Sequence, residues 1–323
     1  MEKIKLAYFG SPDFAAYFLE KLLTDTTINQ LIEVKLIVTQ KDKLVGRKQI
    51  LTPTPVKTIA LKHNLKLLEI GGSLGQLDQL EIRNLDLILV YAYGDLIPKE
   101  FLSLPKYGFW NIHPSLLPKY RGPSPIAAPI INGDKTTGVT IIKMDEEIDH
   151  GPIIAQESLT IEKNDKRPDL EKKLTDLGFE MFKKIIKNVI LGTQSEARKT
   201  PESLLDSGQA RMTTIPQNHN DASYTKKLSK QDGFIEFKKL KKIFQKPTLN
   251  SSFLTFNLFR GLYPWPGLWT MVKPVQLRQL DEAKRLKIID LELINGKLII
   301  KKVQLEGKNE VDFETFNEAY KIF

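Results

Sequence analysis

The chain has 323 residues, 41% of them hydrophobic, no cysteine and a formal net charge of +9 at pH 7. This length favours two domains over a single core, and the lack of cysteine excludes disulfides, thiolate catalysis and cysteine metal sites. No run approaches the roughly 18 apolar residues of a membrane span, and Met1–Lys5 leads directly into a strand-like segment without a signal-peptide core. We therefore expect a cytoplasmic enzyme without membrane contact.

Strand-like apolar runs alternate with helical segments in the first half of the chain, which is typical of an α/β domain with a mostly parallel sheet. The predicted strands include Lys5–Phe9, Glu33–Thr39, Leu65–Leu68, Leu85–Val90 and Phe109–His113. Gly10 follows the first of them, but Pro12 and Ala15 occupy the other positions of the glycine fingerprint. This argues against a dinucleotide site.

A long basic loop, Gln40–Pro55, follows the second strand and carries Lys41, Lys43, Arg47 and Lys48. Four cations at the carboxyl end of a strand indicate contact with phosphate. A solvated loop kept soluble by its charge would show the same pattern. Both interpretations stay open on the residues alone.

The strand Phe109–His113 carries an amide and an imidazole two residues apart. Asn111 and His113 therefore leave the strand on the same face, and the proline that follows His113 stops the strand. The carboxyl end of a parallel strand is where open α/β sheets bind their ligands. A second strand is expected to end near residue 145, and the hairpin-like link after it would present Asp149 at the same place.

The second half begins with a long amphipathic helix predicted over Asp169–Leu191. Residues 193–218 are polar and lack periodicity, which predicts a linker. Beyond it we expect one helix near Lys242–Gly261 and a small β-barrel of short strands. These strands are Phe234–Phe237, Leu268–Val272, Leu286–Leu293 and Lys297–Leu305.

The positive charge is concentrated in this last part of the chain. Residues 219–323 contain 19 Lys and Arg against 12 Asp and Glu, a net charge of +7, which leaves +2 for the longer first part. A net positive charge of this size suits a domain that binds a phosphate-rich partner. A chain that is rich in lysine throughout would also show this excess of positive charge.

Taken together, the motifs resemble the folate-dependent formyltransferases, most closely the branch that acts on methionyl-tRNA. The resemblance covers nearly the whole chain, and the pattern Asn-x-His-x-Ser-Leu-Leu-Pro at residues 111–118 is specific for formyltransferases as a group. The other shared segments are Phe9–Ala15, Gly46–Arg47, Pro53–Lys57, Tyr91–Gly94, Tyr120–Gly122, Gly138–Thr140, Asp149–Gly151, Tyr224–Leu228 and Arg260–Pro266. Asp95 and Trp110 depart from the family pattern.

This resemblance implies a Rossmann-like formyltransferase domain with a mostly parallel sheet, followed by a smaller OB-like β-barrel domain. It assigns residues 1–192 to folate binding and catalysis, 193–218 to a polar linker and 219–323 to tRNA binding. The implied reaction transfers the formyl group of 10-formyltetrahydrofolate to the methionine amine of initiator methionyl-tRNA, for translation initiation. No metal is expected, and we expect a monomer.

The resemblance also implies roles for individual residues. It assigns catalysis to Asn111, His113 and Asp149, and tRNA binding to Lys43, Arg47 and Lys48. The residues expected at the folate are Tyr91, Tyr93, Gly94, Leu96, Ile97, Ser115, Leu116, Leu117 and Pro118.

The predicted catalytic residues suit formyl transfer, which develops negative charge on oxygen in a tetrahedral intermediate. Asn111 can donate an amide N–H to that oxygen, and His113 adds a charged donor when its imidazole is protonated, a state reachable near neutral pH. Asp149 can favour the imidazolium and hold a water for proton transfer from the amine to the folate nitrogen.

Three other functions are compatible with parts of this pattern. A formyltransferase acting on a nucleotide-linked amino sugar would share the catalytic motif, but it has less need of the basic loop and of the charge in the second domain. A hydrolase would pass the formyl group to water. A non-catalytic RNA-binding protein would have no use for an intact set of Asn111, His113 and Asp149.

Overall fold

The computed structural model describes residues 2–46, 48–71, 79–195, 214–273 and 283–323, without the side chains of 191–195. The strands are β1 (Ile4–Gly10), β2 (Ile32–Gln40), β3 (Lys43–Val45), β4 (Ile50–Thr52), β5 (Leu67–Ile70), β6 (Leu87–Tyr91), β7 (Phe109–His113), β8 (Thr136–Lys143), β9 (Ile153–Thr160), β10 (Leu268–Val272), β11 (Lys284–Ile294), β12 (Lys297–Leu305) and β13 (Glu310–Asp312). The α-helices are α1 (Asp13–Thr24), α2 (Pro55–Lys62), α3 (Gln79–Arg83), α4 (Lys99–Leu102), α5 (Ala127–Asn132), α6 (Arg167–Ser195), α7 (Phe237–Gln245), α8 (Leu249–Leu262) and α9 (Phe313–Tyr320).

Seven strands form one sheet in the order β5-β2-β1-β6-β7-β8-β9. β1 pairs in parallel with β2 and β6, β2 pairs in parallel with β5, and β6 pairs in parallel with β7, whereas β7 and β8 are antiparallel. The five parallel strands follow the Rossmann order, which reverses direction between β1 and β6. The prediction of a mostly parallel Rossmann-like sheet is confirmed. The third strand, β5, lies two residues later than predicted.

Both faces of this sheet are buried, since consecutive residues of β1 and β6 point to opposite sides and nearly all are buried. On one face, Phe18 of α1 contacts the rings of Tyr8 and Tyr91, and Phe182 of α6 contacts the ring of Trp110. The opposite face is built from residues that include Ala7, Phe9, Leu36, Val38, Ile88, Val90 and Phe109. Burial of each large side chain contributes about 1.5–3 kcal/mol to the free energy of folding. These helices and strands give the carboxyl ends of β6 and β7 a rigid support.

The loop predicted over Gln40–Pro55 contains a short antiparallel hairpin of β3 and β4. All six strand residues of this hairpin are exposed. The sequence did not reveal it, since strands of three residues are too short to show an alternating pattern. α2 then begins where Thr54 Oγ1 accepts the main-chain N–H of Lys57 at 3.1 Å, with proline as the first helical residue.

The chain forms two compact units that alternate along the sequence. The first consists of Met1–Pro125, Thr137–Leu159 and Glu171–Thr225, and the second of Ile126–Thr136, Thr160–Leu170 and Lys226–Phe323. The second unit contains a separate antiparallel sheet in the order β10-β11-β12-β13. In that unit α8 packs closely on α5 because Gly261 has no side chain, since a Cβ there would lie 2.5 Å from Ile131 Cγ1.

The second unit corrects two of the predicted elements. Phe234–Phe237 is not a strand, since Phe234 makes only an isolated bridge to Trp269 and α7 begins at Phe237. The single helix expected near Lys242–Gly261 is two helices, because Thr248 starts α8 with a capping box after a proline. β13 and α9 were not predicted. In the ranges described above, no helix is long and apolar enough to cross a membrane.

Candidate functional site

The candidate site lies at the carboxyl end of β7, where the loop between β8 and β9 meets it. Oδ1 of Asp149, in that loop, accepts a hydrogen bond from Asn111 Nδ2 at 3.1 Å and lies 3.3 Å from His113 Nδ1. The second carboxylate oxygen, Oδ2, accepts the main-chain N–H of Gly122 at 2.7 Å. The three residues predicted from the sequence to be catalytic therefore lie together around the carboxylate of Asp149.

Both ring nitrogens of His113 face oxygen atoms. Nε2 lies 2.9 Å from the main-chain carbonyl oxygen of Tyr120, which only accepts, so Nε2 carries a proton. Nδ1 faces the carboxylate of Asp149, which also accepts when it is ionised. The pocket therefore offers an acceptor oxygen to each ring nitrogen of His113.

The carboxyl group of Asp149 stays ionised although it is buried, with 11% of the side chain exposed. Burial raises its pKa, but attraction to His113, hydrogen bonds from His113 and Gly122, and the charge of Arg121 outweigh burial and hold the pKa below the usual value. The residue also has a left-handed backbone with φ of +52°. This conformation costs a non-glycine residue about 1–2 kcal/mol, and strain of this kind collects at functional sites.

The residues predicted at the folate fall into two segments, and the first follows β6. The side chains of Tyr91 and Tyr93 are buried in the core, where the Tyr91 hydroxyl lies 3.0 Å from Thr175 Oγ1. Only the main chain of these two tyrosines is therefore available to a ligand. Gly94 has a left-handed backbone with φ of +93°, Leu96 is 75% exposed and Ile97 is half-buried.

The second predicted folate segment, Ser115–Pro118, follows β7 directly. Ser115 Oγ donates to the carbonyl oxygen four residues later at 2.7 Å. Thr140 Oγ1 donates to the Ser115 carbonyl at 2.7 Å and accepts the Leu117 N–H at 3.0 Å. Leu117 is buried, while Leu116 and Pro118 are half-buried. The turn is thus fixed by its own hydrogen bonds and by β8.

Two of the three residues predicted to bind tRNA lie on the β3–β4 hairpin. Lys43 and Lys48 are exposed, and Lys43 Nζ donates to Gln40 Oε1 at 2.6 Å. The prediction for Arg47 lies outside the described residues. The hairpin also exposes large apolar side chains, at 53–62% of their surface: Leu44, Val45, Ile50 and Leu51.

Several groups at the site had not been assigned a role from the sequence. The carbonyl of Tyr120 and the N–H of Gly122 are main-chain groups, for which side-chain patterns give no signal. Arg121, whose charge acts on Asp149, is only 1% exposed and stands between them. Gln217 lies in the predicted linker, yet it is buried and bonds to the Asp149 loop. Across the described ranges, no three His, Asp or Glu side chains are grouped as metal ligands.

Comparison with known proteins gives a consistent result. A family model described as Formyl transferase matches residues 3–186. A methionyl-tRNA formyltransferase from Caldicellulosiruptor saccharolyticus is 35% identical over 338 aligned positions, which cover 98% of this chain and 97% of the relative. A protein with the same name from Staphylococcus aureus strain JH1 is 33% identical, over 95% of this chain and 93% of its own length.

Solved structures support the same fold. The structure of an N-formyltransferase from Helicobacter canadensis, in complex with folinic acid and dTDP-3-aminofucose, has a TM-score of 0.56 and 20% sequence identity. The match covers 94% of this chain and 95% of that one. At this identity the likeness concerns the fold alone. From the family match and the whole-chain relatives, the chain belongs to the formyl transferase family, in the group of methionyl-tRNA formyltransferases.

Proposed function

We propose that this protein transfers the formyl group of 10-formyltetrahydrofolate to the free amine of methionine on initiator methionyl-tRNA. The observation that carries the proposal is the convergence of Asn111, His113 and Asp149 at the carboxyl end of β7, in a chain whose relatives match over nearly its full length. The group is positioned where Rossmann-like sheets bind ligands.

In the proposed reaction the methionine amine attacks the formyl carbon, and the carbonyl oxygen gains negative charge. Asn111 Nδ2 and His113 Nδ1 point to one position, now taken by Asp149 Oδ1, so the same donors can reach an oxyanion placed beside that oxygen. The amine must lose a proton, and the folate nitrogen must gain one as the carbon–nitrogen bond breaks. Asp149 supports this transfer by keeping His113 cationic and by holding a water that relays the proton.

The donor is proposed to lie along the carboxyl ends of β6 and β7. The main chain after β6, from Tyr91 to Ile97, presents polar groups, since the tyrosine side chains are buried. The half-buried Leu116 and Pro118 offer apolar surface on the other side. A flat pterin ring suits a site that combines main-chain hydrogen bonds with apolar contacts.

Two basic surfaces are proposed to bind the tRNA. The first is the β3–β4 hairpin, where lysines flank exposed apolar side chains, a combination that suits phosphate together with unstacked bases. The second is α7, which buries Leu240 and Ile243 and carries lysines on its remaining surface. These are Lys238, Lys239, Lys241, Lys242 and, at its C-cap, Lys246. α7 itself contains no acidic residue, so it can attract a phosphate backbone.

This assignment includes a division of labour along the chain. We propose that residues 1–192 carry out folate binding and catalysis, that 219–323 help to hold the tRNA, and that 193–218 connect them. The protein is proposed to act as a monomer in the cytoplasm, where its substrates in translation are found.

The sugar formyltransferase is the main alternative, because a protein that acts on such substrates shares this fold. The two whole-chain relatives described above, at 35% and 33% identity, are, however, methionyl-tRNA formyltransferases. A hydrolase and a non-catalytic RNA-binding protein have no comparable support.

A competition between acceptors tests the proposal. Purified protein and 10-formyltetrahydrofolate are offered charged initiator methionyl-tRNA, elongator methionyl-tRNA and a nucleotide-linked amino sugar, and each product is quantified. We expect selective formylation of the initiator. Transfer to the sugar alone would overturn the acceptor, formate release without an acceptor would indicate a hydrolase, and no turnover at all would support a non-catalytic role.

A further inference from the structure

Gln217 lies at the end of the predicted linker, but the residue is only 6% exposed. Its amide nitrogen donates to two main-chain carbonyls, those of Asp149 at 3.0 Å and Gly151 at 2.8 Å. A side-chain amide carries two N–H donors, so both bonds form at once. One side chain therefore holds the main chain at both ends of the Asp149–Gly151 segment.

The orientation of this amide is determined by its third partner. Gln217 Oε1 accepts a hydrogen bond from Arg121 Nη2 at 2.7 Å. A guanidinium only donates and a carbonyl only accepts, so the amide oxygen must face Arg121 and the amide nitrogen must face the loop. Arg121 is itself held by Tyr224, whose hydroxyl lies 3.3 Å from Nη1, and by His219, whose Nδ1 accepts from Nη2 at 2.8 Å.

The segment that carries Gln217 is anchored to the rest of the first unit. Ile215 and Ile153 exchange two main-chain hydrogen bonds of 2.7 and 2.8 Å. Arg121 N–H donates to the Ser223 carbonyl at 2.9 Å, and its own carbonyl accepts the Thr225 N–H at 2.7 Å. The residue after Arg121 is Gly122, which donates to the Asp149 carboxylate. Residues 214–225 therefore connect the loop of Asp149 to the strand end that it faces.

Asp149 has an unfavourable left-handed backbone, so its conformation must be held by contacts with other residues. We propose that Gln217 is a positioning residue for formyl transfer: with Arg121 it holds Asp149 in the conformation in which its carboxylate meets Asn111 and His113. The inference rests on the proposed function, in which Asp149 takes part in the reaction. It makes the end of the linker a part of the active site.

The decisive variant is Gln217→Met, which keeps the length of the side chain and removes both N–H donors. We expect kcat for formyl transfer to fall by about 10- to 100-fold, since small displacements of a reacting group have effects of this order. KM for the folate and for the tRNA should change by less than about threefold, because Gln217 touches neither proposed binding surface.

A pH profile separates positioning from a purely structural role. The titratable and charged groups around Asp149 are His113 and Arg121, with His219 bonded to Arg121 and the pair of His150 and Asp145 in the same loop, and all are retained in the variant. Without the bonds from Gln217, the Asp149 carboxylate should move away from His113, Gly122 and Arg121, which hold its pKa low. The pKa of Asp149 should then rise toward its usual value, so the acid limb of the kcat profile should move to higher pH. A drop in kcat that is accompanied by lost thermal stability, with an unmoved acid limb, would overturn the positioning role.

Asn218→Ala is the matched control, since Asn218 belongs to the same segment but is exposed and, among the described residues, its side chain bonds to Asp221 and Asn220. It should retain kcat within about twofold, as exposed substitutions generally do. Asp149→Asn separates the two proposals. If it abolishes transfer while Gln217→Met behaves like the unmodified protein, the positioning role is wrong and the proposed function stands.

If Asp149→Asn also retains full activity, the proposed catalytic assignment is wrong instead. Should Gln217→Met fail to fold, Gln217→Glu becomes decisive, because it keeps the acceptor for Arg121 and lacks both donors. We expect reduced kcat in this variant too, and full kcat with an unchanged pH profile would overturn the proposal.

Discussion

The loop of Asp149 and the β3–β4 hairpin both lie in the first unit, and they are built in opposite ways. Asp149 is buried, strained and bonded through its side chain or main chain to Asn111, Gly122 and Gln217. The hairpin strands are exposed throughout, and their main-chain pairing is local. The Asp149 loop is thus fixed by residues that are distant in sequence, while the hairpin is stabilised by pairing between its own two strands.

This difference matches what the two regions are proposed to do. A reacting group must be held within a fraction of an ångström, which requires partners from several elements. A surface that meets a large, charged partner needs accessible cations and apolar side chains. Substitutions in the Asp149 loop should therefore affect the rate of the chemical step, and substitutions in the hairpin should affect the binding of tRNA.

The largest effect is expected for His113→Ala. The variant lacks the proposed imidazole donor to the oxyanion, so kcat should fall by about 10²- to 10⁴-fold, the range for general acid–base and electrostatic groups. Steady-state kinetics with initiator methionyl-tRNA measure this. Because the variant also leaves the buried Asp149 without its imidazole partner, the assay must be run well below the melting temperature of the variant.

His63→Ala is the control for His113→Ala. His63 caps α2 and pairs with Glu20, far from any proposed role in the reaction. Its kcat should stay within about twofold, as for most surface substitutions. Turnover in His113→Ala equal to that of the control would contradict the proposed mechanism.

Two glycines test the contrast in stability. A Cβ on Gly151 would overlap the carbonyl oxygen of Lys143. Gly46 in the hairpin has φ of +73°, and among the described residues beyond its chain neighbours no atom lies within 4 Å of such a Cβ. Gly151→Ala should lower the free energy of unfolding by about 1–3 kcal/mol, the usual cost of overpacking. Gly46→Ala should cost about 1 kcal/mol, from its backbone conformation alone.

Urea unfolding of both glycine variants at neutral pH gives these values. Formyl transfer should also be slower in Gly151→Ala, because the carbonyl of Gly151 is one of the two that Gln217 holds. Equal destabilisation of the two variants would indicate that the Asp149 loop can shift as freely as the hairpin.

The contribution of the buried Asp149 carboxylate can be measured from the pH dependence of the free energy of unfolding. The pKa of Asp149 is lower in the folded chain than its usual value near ~3.9. Its ionised form therefore adds stability that is fully present above pH ~4 and is lost as the pH falls through the lower folded pKa. The difference in the free energy of unfolding between the unmodified protein and Asp149→Asn should narrow as the pH falls below ~4. A constant difference between pH 7 and 3 would contradict this.

The same contrast explains what could be predicted from the sequence. Asn111 and His113 could be predicted as candidate site residues because they lie two positions apart on an apolar strand. The two-residue period of a strand places both side chains on the same face. The Rossmann-like sheet was predictable because its apolar runs are long enough to show a pattern. Asp149 was predicted as catalytic through the family resemblance, because several acidic residues lie close to it in the chain and the residue pattern alone does not distinguish among them.

The rest depends on contacts that are distant in sequence or on the main chain. Gln217 lies in a polar stretch with no periodicity, and its partner Asp149 is 68 residues away. Thr248 divides the predicted long helix through a capping box with Ser251, a local bond that competes with the apolar pattern around it. The three-residue strands β3 and β4 are likewise too short for their alternation to be seen.

The smallest effect is expected for the hairpin cations. The double substitution Lys43→Ala, Lys48→Ala removes two exposed charges from the proposed tRNA surface. KM for initiator methionyl-tRNA should rise by about 3- to 10-fold at moderate salt, and the slope of log KM against log salt should fall by about two, one for each lost phosphate contact. kcat at saturating tRNA should change little, because neither lysine contacts the residues around Asp149.

Lys35→Ala supplies the matched control, since Lys35 is also an exposed lysine of the first unit but is paired with Glu33 at 2.6 Å. Its KM and salt slope should equal those of the unmodified protein, which excludes a general effect of net charge. If the double variant lowers kcat at saturating tRNA and leaves KM and the salt slope unchanged, the hairpin acts on the chemical step. The separation of a fixed reacting group from an open binding surface would then be wrong.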